Sequence, residues 1–429
     1  MAVAGSTAPL WTLLLGAGAF VFGASPALAK VIGLAATIAA GILTRRAALA
    51  LSAAPLVAFA AGLALVATAG LTWGGLSGME VSLAAALVAG ALLAHAHDAT
   101  FVAVLLASLA VLSRPEAVLF LPVLLIARPL RVRRIVLFVV VPLVVLVPFV
   151  AFCLATVGSP LPATVAAKVE GGLLGRLAGL SEPALTTFVV RPRAFLLEWY
   201  RLLSLTHLAL PLALGVALVA VWWRHGRRWG VPALILLIHP LAMALIAPYR
   251  GPGFQEGRYS LHLLPVAMVT LAAALPPAWR RISLVAVAVY LALAVPPLVP
   301  GAVRYARAVK NINEMQVHLG RWIDRELPRT ARVAANDIGA IAYFSRREII
   351  DVMGLVTPDI LRYRRDGDAG VARYLLEQCP DHVVIFPDWF PGVAARSDFL
   401  EARYRVKLED NLVSGADEMV VYRVKRCAV

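Results

Sequence analysis

Lys168, Arg250 and Arg258 are cations set in or beside segments that join apolar runs, and Glu80 and Glu256 are carboxylates in comparable positions. Cations so placed can hold an anionic group, and carboxylates so placed can take a proton from a hydroxyl. Arg114 and Glu116 flank Pro115 inside an otherwise apolar stretch, either as part of a site or as an ion pair that locks a hairpin. Plainer readings stand beside these. Lys168 is also what a lysine snorkelling to a membrane interface looks like. Glu80 opens an apolar run, where a helix dipole alone favours an acid. Asp337 follows a strand-like run, a common place for functional groups in α/β sheets, but also a common turn residue. His95, His97 and Asp98 have the composition of a metal cluster without the spacing of one. His207, His239 and His262 read as satisfied histidines inside a helix bundle. Cys153, Cys379 and Cys427 show neither paired spacing nor a metal motif, and a Cys379–Cys427 disulfide stays open.

The elements that would position these residues are mostly membrane spans. The chain is 61% hydrophobic with a mean hydropathy of +0.81, far above soluble domains. A bilayer core takes roughly 20 apolar residues per helix, and the first 300 or so positions hold about ten apolar stretches. The net charge of +15 is carried largely by arginines in short segments between them. That pattern marks cytoplasmic loops and removes the reason to invoke nucleic acid. Placing Arg45–Arg46, Arg128–Arg134, Arg224–Arg228 and Arg280–Arg281 in the cytoplasm gives spans at 27–44, 47–69, 79–95, 99–113, 116–128, 135–156, 206–223, 231–247, 259–276 and 282–299. The stretch 99–128 breaks at Ser113-Arg114-Pro115-Glu116, as two short spans or one re-entrant hairpin. Residues 71–78, 158–204 and 247–257 and the C-terminal domain then lie outside. Pro9 to Phe22 is short and suits an interfacial segment. Trp222, Trp223 and Trp229 fit an aromatic belt.

Composition changes near Tyr305. Val303 to Leu327 has helical spacing, with Ile312, Met315, Leu319 and Ile323 on one stripe, and Pro328 stops it. Strands are expected at 332–335, 349–353, 383–386, 404–408 and 419–424, with a helix near 371–377. The fold class is therefore a polytopic α-helical membrane domain, residues 1–301, followed by a small soluble α/β domain, residues 302–429. There is no Gly-rich phosphate loop.

Several segments, in order, resemble one family, the GT-C-fold polyprenyl-phosphate-sugar glycosyltransferases of bacteria, the terminal arabinofuranosyltransferase type among them. They are Ser6 to Leu14, Gly78-Met79-Glu80-Val81, Arg114-Pro115-Glu116, Ser159 to Thr164 followed by Lys168, Gly257-Arg258-Tyr259 with Leu263-Leu264-Pro265, and the pair Asn336 to Ile341 and Asp351 to Val356. The resemblance implies a GT-C-like fold and transfer of a sugar from a polyprenyl-phosphate to a cell-envelope glycan at the outer membrane face. The C-terminal domain would lie outside the cytoplasm of an inner-membrane protein. Lys168, Arg258 and Arg250 would bind the donor phosphate, Arg114 and Glu116 would shape the site, and Asp337 would lie near it.

This chain departs from the pattern. The family opens with a span and an outer loop carrying an acidic pair that serves as base, whereas no acid precedes Glu80 here, and Ala163 replaces the usual Asn. A truncated sequence is one expectation. The others are a relative that binds lipid-linked sugar or a partner enzyme without catalysis, and substitution of the base by Glu80 or Glu256. Some relatives use a divalent cation and others do not, so no cofactor follows. A transporter would place polar residues near the bilayer midplane, whereas this chain has almost no charged residue at that depth and its polar groups gather at one face.

Overall fold

The computed structural model describes residues 3–169, 171–177, 179, 181–206, 210–246, 257–425 and 427, with backbone alone at 202–206, 210–212, 280 and 294. The chain divides into two compact units, one of residues 6–151 and 169–302, the other of residues 1–5, 152–168 and 303–429.

The first unit is helical. It begins with α1 (Pro9–Phe22), α2 (Pro26–Ala50), α3 (Pro55–Val66), α4 (Ala69–Leu76), α5 (Val81–Ala96), α6 (Thr100–Ser113), α7 (Phe120–Ile126) and α8 (Val132–Val157), the last running on into the other unit. Proline opens α1, α2 and α3, where its missing N–H costs nothing. Small residues let these helices touch backbone to backbone. A Cβ on Gly33 would sit 2.2 Å from the Gly75 carbonyl oxygen, and one on Gly62 would sit 2.6 Å from that of Gly41. Thr37 Oγ1 donates to Ser82 Oγ at 2.8 Å, joining α2 to α5 in the interior.

One expected loop is helical instead. Arg45 and Arg46 lie inside α2, which continues to Ala50 and yields only where Ser52 takes a positive φ before Pro55. Nothing at 45–46 breaks a helix, so charge alone misplaced that boundary. Arg224 to Arg228 do straddle a break, since Gly226 takes φ 56° and ψ −155° and divides the stretch Leu210–Ala233 into two helices. The break at Arg114 is where it was expected. Pro115 forces Arg114 out of the helical region (φ −148°, ψ 112°), and the chain resumes as a tight 3-10 turn, Pro115–Leu119, leading into α7.

Four helices among the described residues are long and apolar enough to cross a membrane: Pro26–Ala50, Val132–Val157, Ala213–Ile246 and Arg281–Glu326. The bent pair α3 and α4 makes a fifth if it counts as one span. Shorter apolar helices, α5 and α6 among them, complete the set. The protein is an integral membrane protein.

The second unit holds a mixed sheet of β1 (Arg332–Ala335), β2 (Glu348–Asp351), β3 (His382–Ile385), β4 (Leu400–Lys407) and β5 (Glu418–Val424), in the order β2-β1-β3-β5-β4. β2, β1 and β3 run parallel, and β3, β5 and β4 pair antiparallel. Met315, Leu319 and Ile323 pack on one face with Val333, Val384 and Val421, while Ile312 is only half-buried. Val371, Ala372 and Leu375 of the helix Gly367–Gln378 cover the other face. Strand positions lie within four residues of those expected at either end, since short runs of Val and Ile bounded by turns are a local signal. Cys379 and Cys427 form a disulfide, and Cys153 is free and buried.

Candidate functional site

Arg114 carries a buried polar cluster in the helical unit. The proline-enforced break ends α6 and leaves the Arg114 side chain only 4% exposed. Its Nη1 donates to Glu80 Oε1 at 2.6 Å and its Nη2 to Glu116 Oε1 at 3.2 Å. Glu80 is placed by a turn that needs glycine. Gly78 takes φ 75°, and its carbonyl accepts the Trp11 indole N–H at 3.1 Å, tying α1 to the start of α5.

Arg258 and Tyr259 complete the cluster. The Arg258 and Arg114 guanidiniums lie 4.9 Å and 4.7 Å from the centre of the Tyr259 ring. Arg258 Nη2 donates to the Tyr259 hydroxyl at 3.0 Å, and Nη1 reaches Met79 Sδ at 3.5 Å. Two arginines and two carboxylates thus share one largely buried region, with formal charge balanced. Such an arrangement costs desolvation energy that a plain apolar packing would avoid.

Its polar valence is not filled. Arg114 Nε, Glu116 Oε2 and Ser260 Oγ are buried without a partner among the described residues. His239, on the helix Ile235–Ile246, and His262, just beyond Tyr259, were expected to be satisfied and are not. Both are fully buried, their ring centres 5.0 Å apart at 72°, and among the described residues none of their four nitrogens has a hydrogen-bond partner. Both are within electrostatic range of Arg114, and Phe120 meets His262 edge-on at 6.2 Å. Buried polar groups are nearly always met by protein, ordered water or a ligand. An isolated His in an apolar run carries no such signal in sequence, and Tyr259 was visible only as the neighbour of Arg258.

Other expected residues fall elsewhere. Lys168 ends the short helix Ala163–Lys168 of the second unit, where the Ala163 N–H donates to the Ala4 carbonyl at 3.0 Å. Arg250 and Glu256 lie outside the described residues. Asp337 opens the helix Ile338–Ser345 and accepts Gln316 Nε2 at 2.8 Å; burial pushes its carboxyl above the usual range. Beside it, both side-chain polar atoms of buried Asn336 lack partners among the described residues. Asp351 closes its own loop, accepting the N–H groups of Met353 and Val356 at 2.8 and 2.9 Å. In the His95–His97–Asp98 cluster, His95 and Asp98 meet other groups. His95 Nε2 meets the Arg228 carbonyl at 2.9 Å, and Asp98 pairs with Arg128. Among the described residues no group of three or more metal-binding side chains converges.

Residues 310–422 match a family described as a domain of unknown function, DUF8728. No curated protein sequence matches significantly. The fold is more informative. ArnT from Cupriavidus metallidurans bound to undecaprenyl phosphate is similar over 97% of this chain and 88% of its own, with a TM-score of 0.58 and 14% identity. An oligosaccharyltransferase from Archaeoglobus fulgidus, in the apo form, is similar over 96% of this chain and 66% of its own, with a TM-score of 0.54 and 13% identity. The chain therefore has a GT-C-like fold.

Proposed function

We propose that this protein is a membrane glycosyltransferase that moves a sugar from a polyprenyl-phosphate donor to a cell-envelope glycan at the outer face of the inner membrane. The reading rests most on one observation, the buried Arg114–Glu80–Glu116 and Arg258–Tyr259 cluster with its unfilled polar atoms, in a fold similar to a protein solved with undecaprenyl phosphate. Sugar transfer builds positive character on the ring and needs a base at the acceptor oxygen and cations at the departing phosphate. Arg258 and Lys168 are assigned to the phosphate, with Arg250 as a further ligand. Glu80 is assigned as base: Arg114 holds its Oε1, while the side chain keeps 16% exposure. Glu256 is the alternative base. The span count of about ten, the domain boundary near residue 301 and the outward C-terminal domain belong to this proposal. The Cys379–Cys427 disulfide supports that side, because disulfides persist in oxidising compartments.

A second reading draws on the same ion pair. A carboxylate gripped by arginine is a weaker base, which favours a relative that binds lipid-linked sugar without transferring it. Incubating the purified chain with a panel of polyprenyl-phosphate sugars and acceptor glycan separates the two. Bound donor with transfer supports the enzyme, bound donor without transfer supports the binding relative, and no bound donor rejects both. Arg258→Ala and Lys168→Ala should each cut transfer at least about tenfold, and wild-type turnover in both would remove the phosphate assignment. For orientation, a cysteine at Asp381 should react with an impermeant label on intact cells and one at Arg227 should not.

A further inference from the structure

The soluble α/β domain carries a cleft that none of the preceding chemistry uses. It has a volume of about 760 Å³, within the range of roughly 300–1,000 Å³ typical of small-molecule sites. Its lining includes Trp322, His382, Arg403, Arg423 and Lys425. The topology explains why these meet. His382 opens β3 and Arg423 is the penultimate residue of β5, and the antiparallel register sets them directly opposite each other, so both point to one face. Arg403 reaches the same cleft through a bulge. Ala402 pairs with Tyr422 and Tyr404 with Val421, which leaves Arg403 as the extra residue of β4. Bulges commonly re-aim one side chain in this way.

The cations are not spent on structure. Among the described residues no carboxylate pairs with Arg403 or Arg423, although Glu401 is the cross-strand neighbour of Arg423. Lys425 Nζ donates to the Ser397 carbonyl at 3.2 Å. Two acids, Glu326 and Asp381, also line the cleft, and Asp381 accepts the Arg332 N–H at 2.8 Å. His382 Nδ1 is buried without a partner. Burial, with Arg423 and Arg403 nearby, holds the His382 imidazole below its usual range against the opposing pull of Asp381. The aromatic wall is rigid. Trp322 stacks on Tyr404 at 4.8 Å and 4°, and Tyr404 is fixed by its hydroxyl to His318 Nε2 at 2.7 Å.

We propose that this cleft binds an acidic saccharide, its carboxylate or phosphate held by Arg403 and Arg423 and a sugar ring set against Trp322. Guanidinium–oxyanion contacts supply charge-assisted hydrogen bonds, and an indole offers flat apolar area beside a polar edge. An unsubstituted neutral saccharide would leave both arginines without an anion. The site does not depend on the transfer reading, since binding is read without any lipid donor.

The test is calorimetric titration of the detergent-solubilised full chain with a galacturonate trisaccharide, a galactose trisaccharide and glucose 6-phosphate. The acidic sugars should bind at least about tenfold more tightly than the neutral one, and Arg403→Ala/Arg423→Ala should remove at least about tenfold of that affinity. Both arginines are exposed, so the variant should keep its melting temperature. Preference for galacturonate over the phosphate names carboxylate as the natural anion, and the reverse names phosphate. Failure of both acidic sugars to bind, or equal binding by wild type and double variant, overturns the proposal.

Discussion

Two arginines in this chain are buried almost equally, and their surroundings could hardly differ more. Arg347, in the unit that holds the sheet, has a side chain 2% exposed and uses every donor group. Its Nε meets the Pro328 carbonyl, Nη1 meets Asp324 Oδ1 and the Ser345 carbonyl, and Nη2 meets the carbonyls of Asp324 and Leu327. These include the orphaned carbonyls at the end of the helix His318–Glu326, so Arg347 acts as a C-terminal cap. Arg114, 4% exposed, meets two carboxylates and leaves Nε open, beside an open Glu116 oxygen and two histidines with no hydrogen-bond partner among the described residues. Burial is the same. What separates a structural arginine from a candidate functional one is whether its neighbourhood is saturated.

Truncating both arginines tests that contrast, and the effects should be large. Arg114→Ala leaves two buried carboxylates without their cation and should destabilise the helical unit by about 3–5 kcal/mol. Transfer per folded molecule should also fall. Arg347→Ala should cost about 1–3 kcal/mol for each carbonyl left without a donor or water, while transfer per folded molecule stays at the wild-type level. Thermal melts paired with activity normalised to folded protein distinguish the two. If Arg114→Ala keeps normal transfer per folded molecule, the arginines are equivalent and the contrast is lost.

The smallest effect concerns Asp337. Burial raises its carboxyl above the unfolded value, so the protonated form is the one folding favours. Its contribution is fully present below the unfolded value of about 3.8 and is lost as pH rises through the raised folded value. Asp337→Asn should therefore flatten the dependence of melting temperature on pH above about 4 and leave the variant no less stable at neutral pH. A steeper dependence in the variant would mean that the Gln316 contact outweighs burial.

What the sequence made legible follows how local each feature is. Arg114 and Glu116 announce themselves because they straddle one proline, and β1 to β5 because four to eight residues of alternating or continuous Val and Ile suffice. Glu80 as the second partner of Arg114 could not be read, since 34 positions separate them and only packing of α5 against the 114 break joins them. Arg45 and Arg46 were misread as a loop, because charge marks membrane depth and says little about helix continuity. The bulge that frees Arg403 depends on register with β5, which has no signature in β4 alone. Cys379 and Cys427 lie 48 positions apart, and their pairing needed the fold.

The central claim is that open polar valence around Arg114 serves a ligand rather than folding. His239→Phe tests it most directly, because phenylalanine keeps a ring of similar outline and removes two buried nitrogens that have no hydrogen-bond partner among the described residues. The account predicts a melting temperature unchanged or raised, as loss of an unpaired buried group relieves a cost, together with transfer from the polyprenyl-phosphate donor reduced at least about tenfold. An equally stable or more stable variant with wild-type transfer would contradict it.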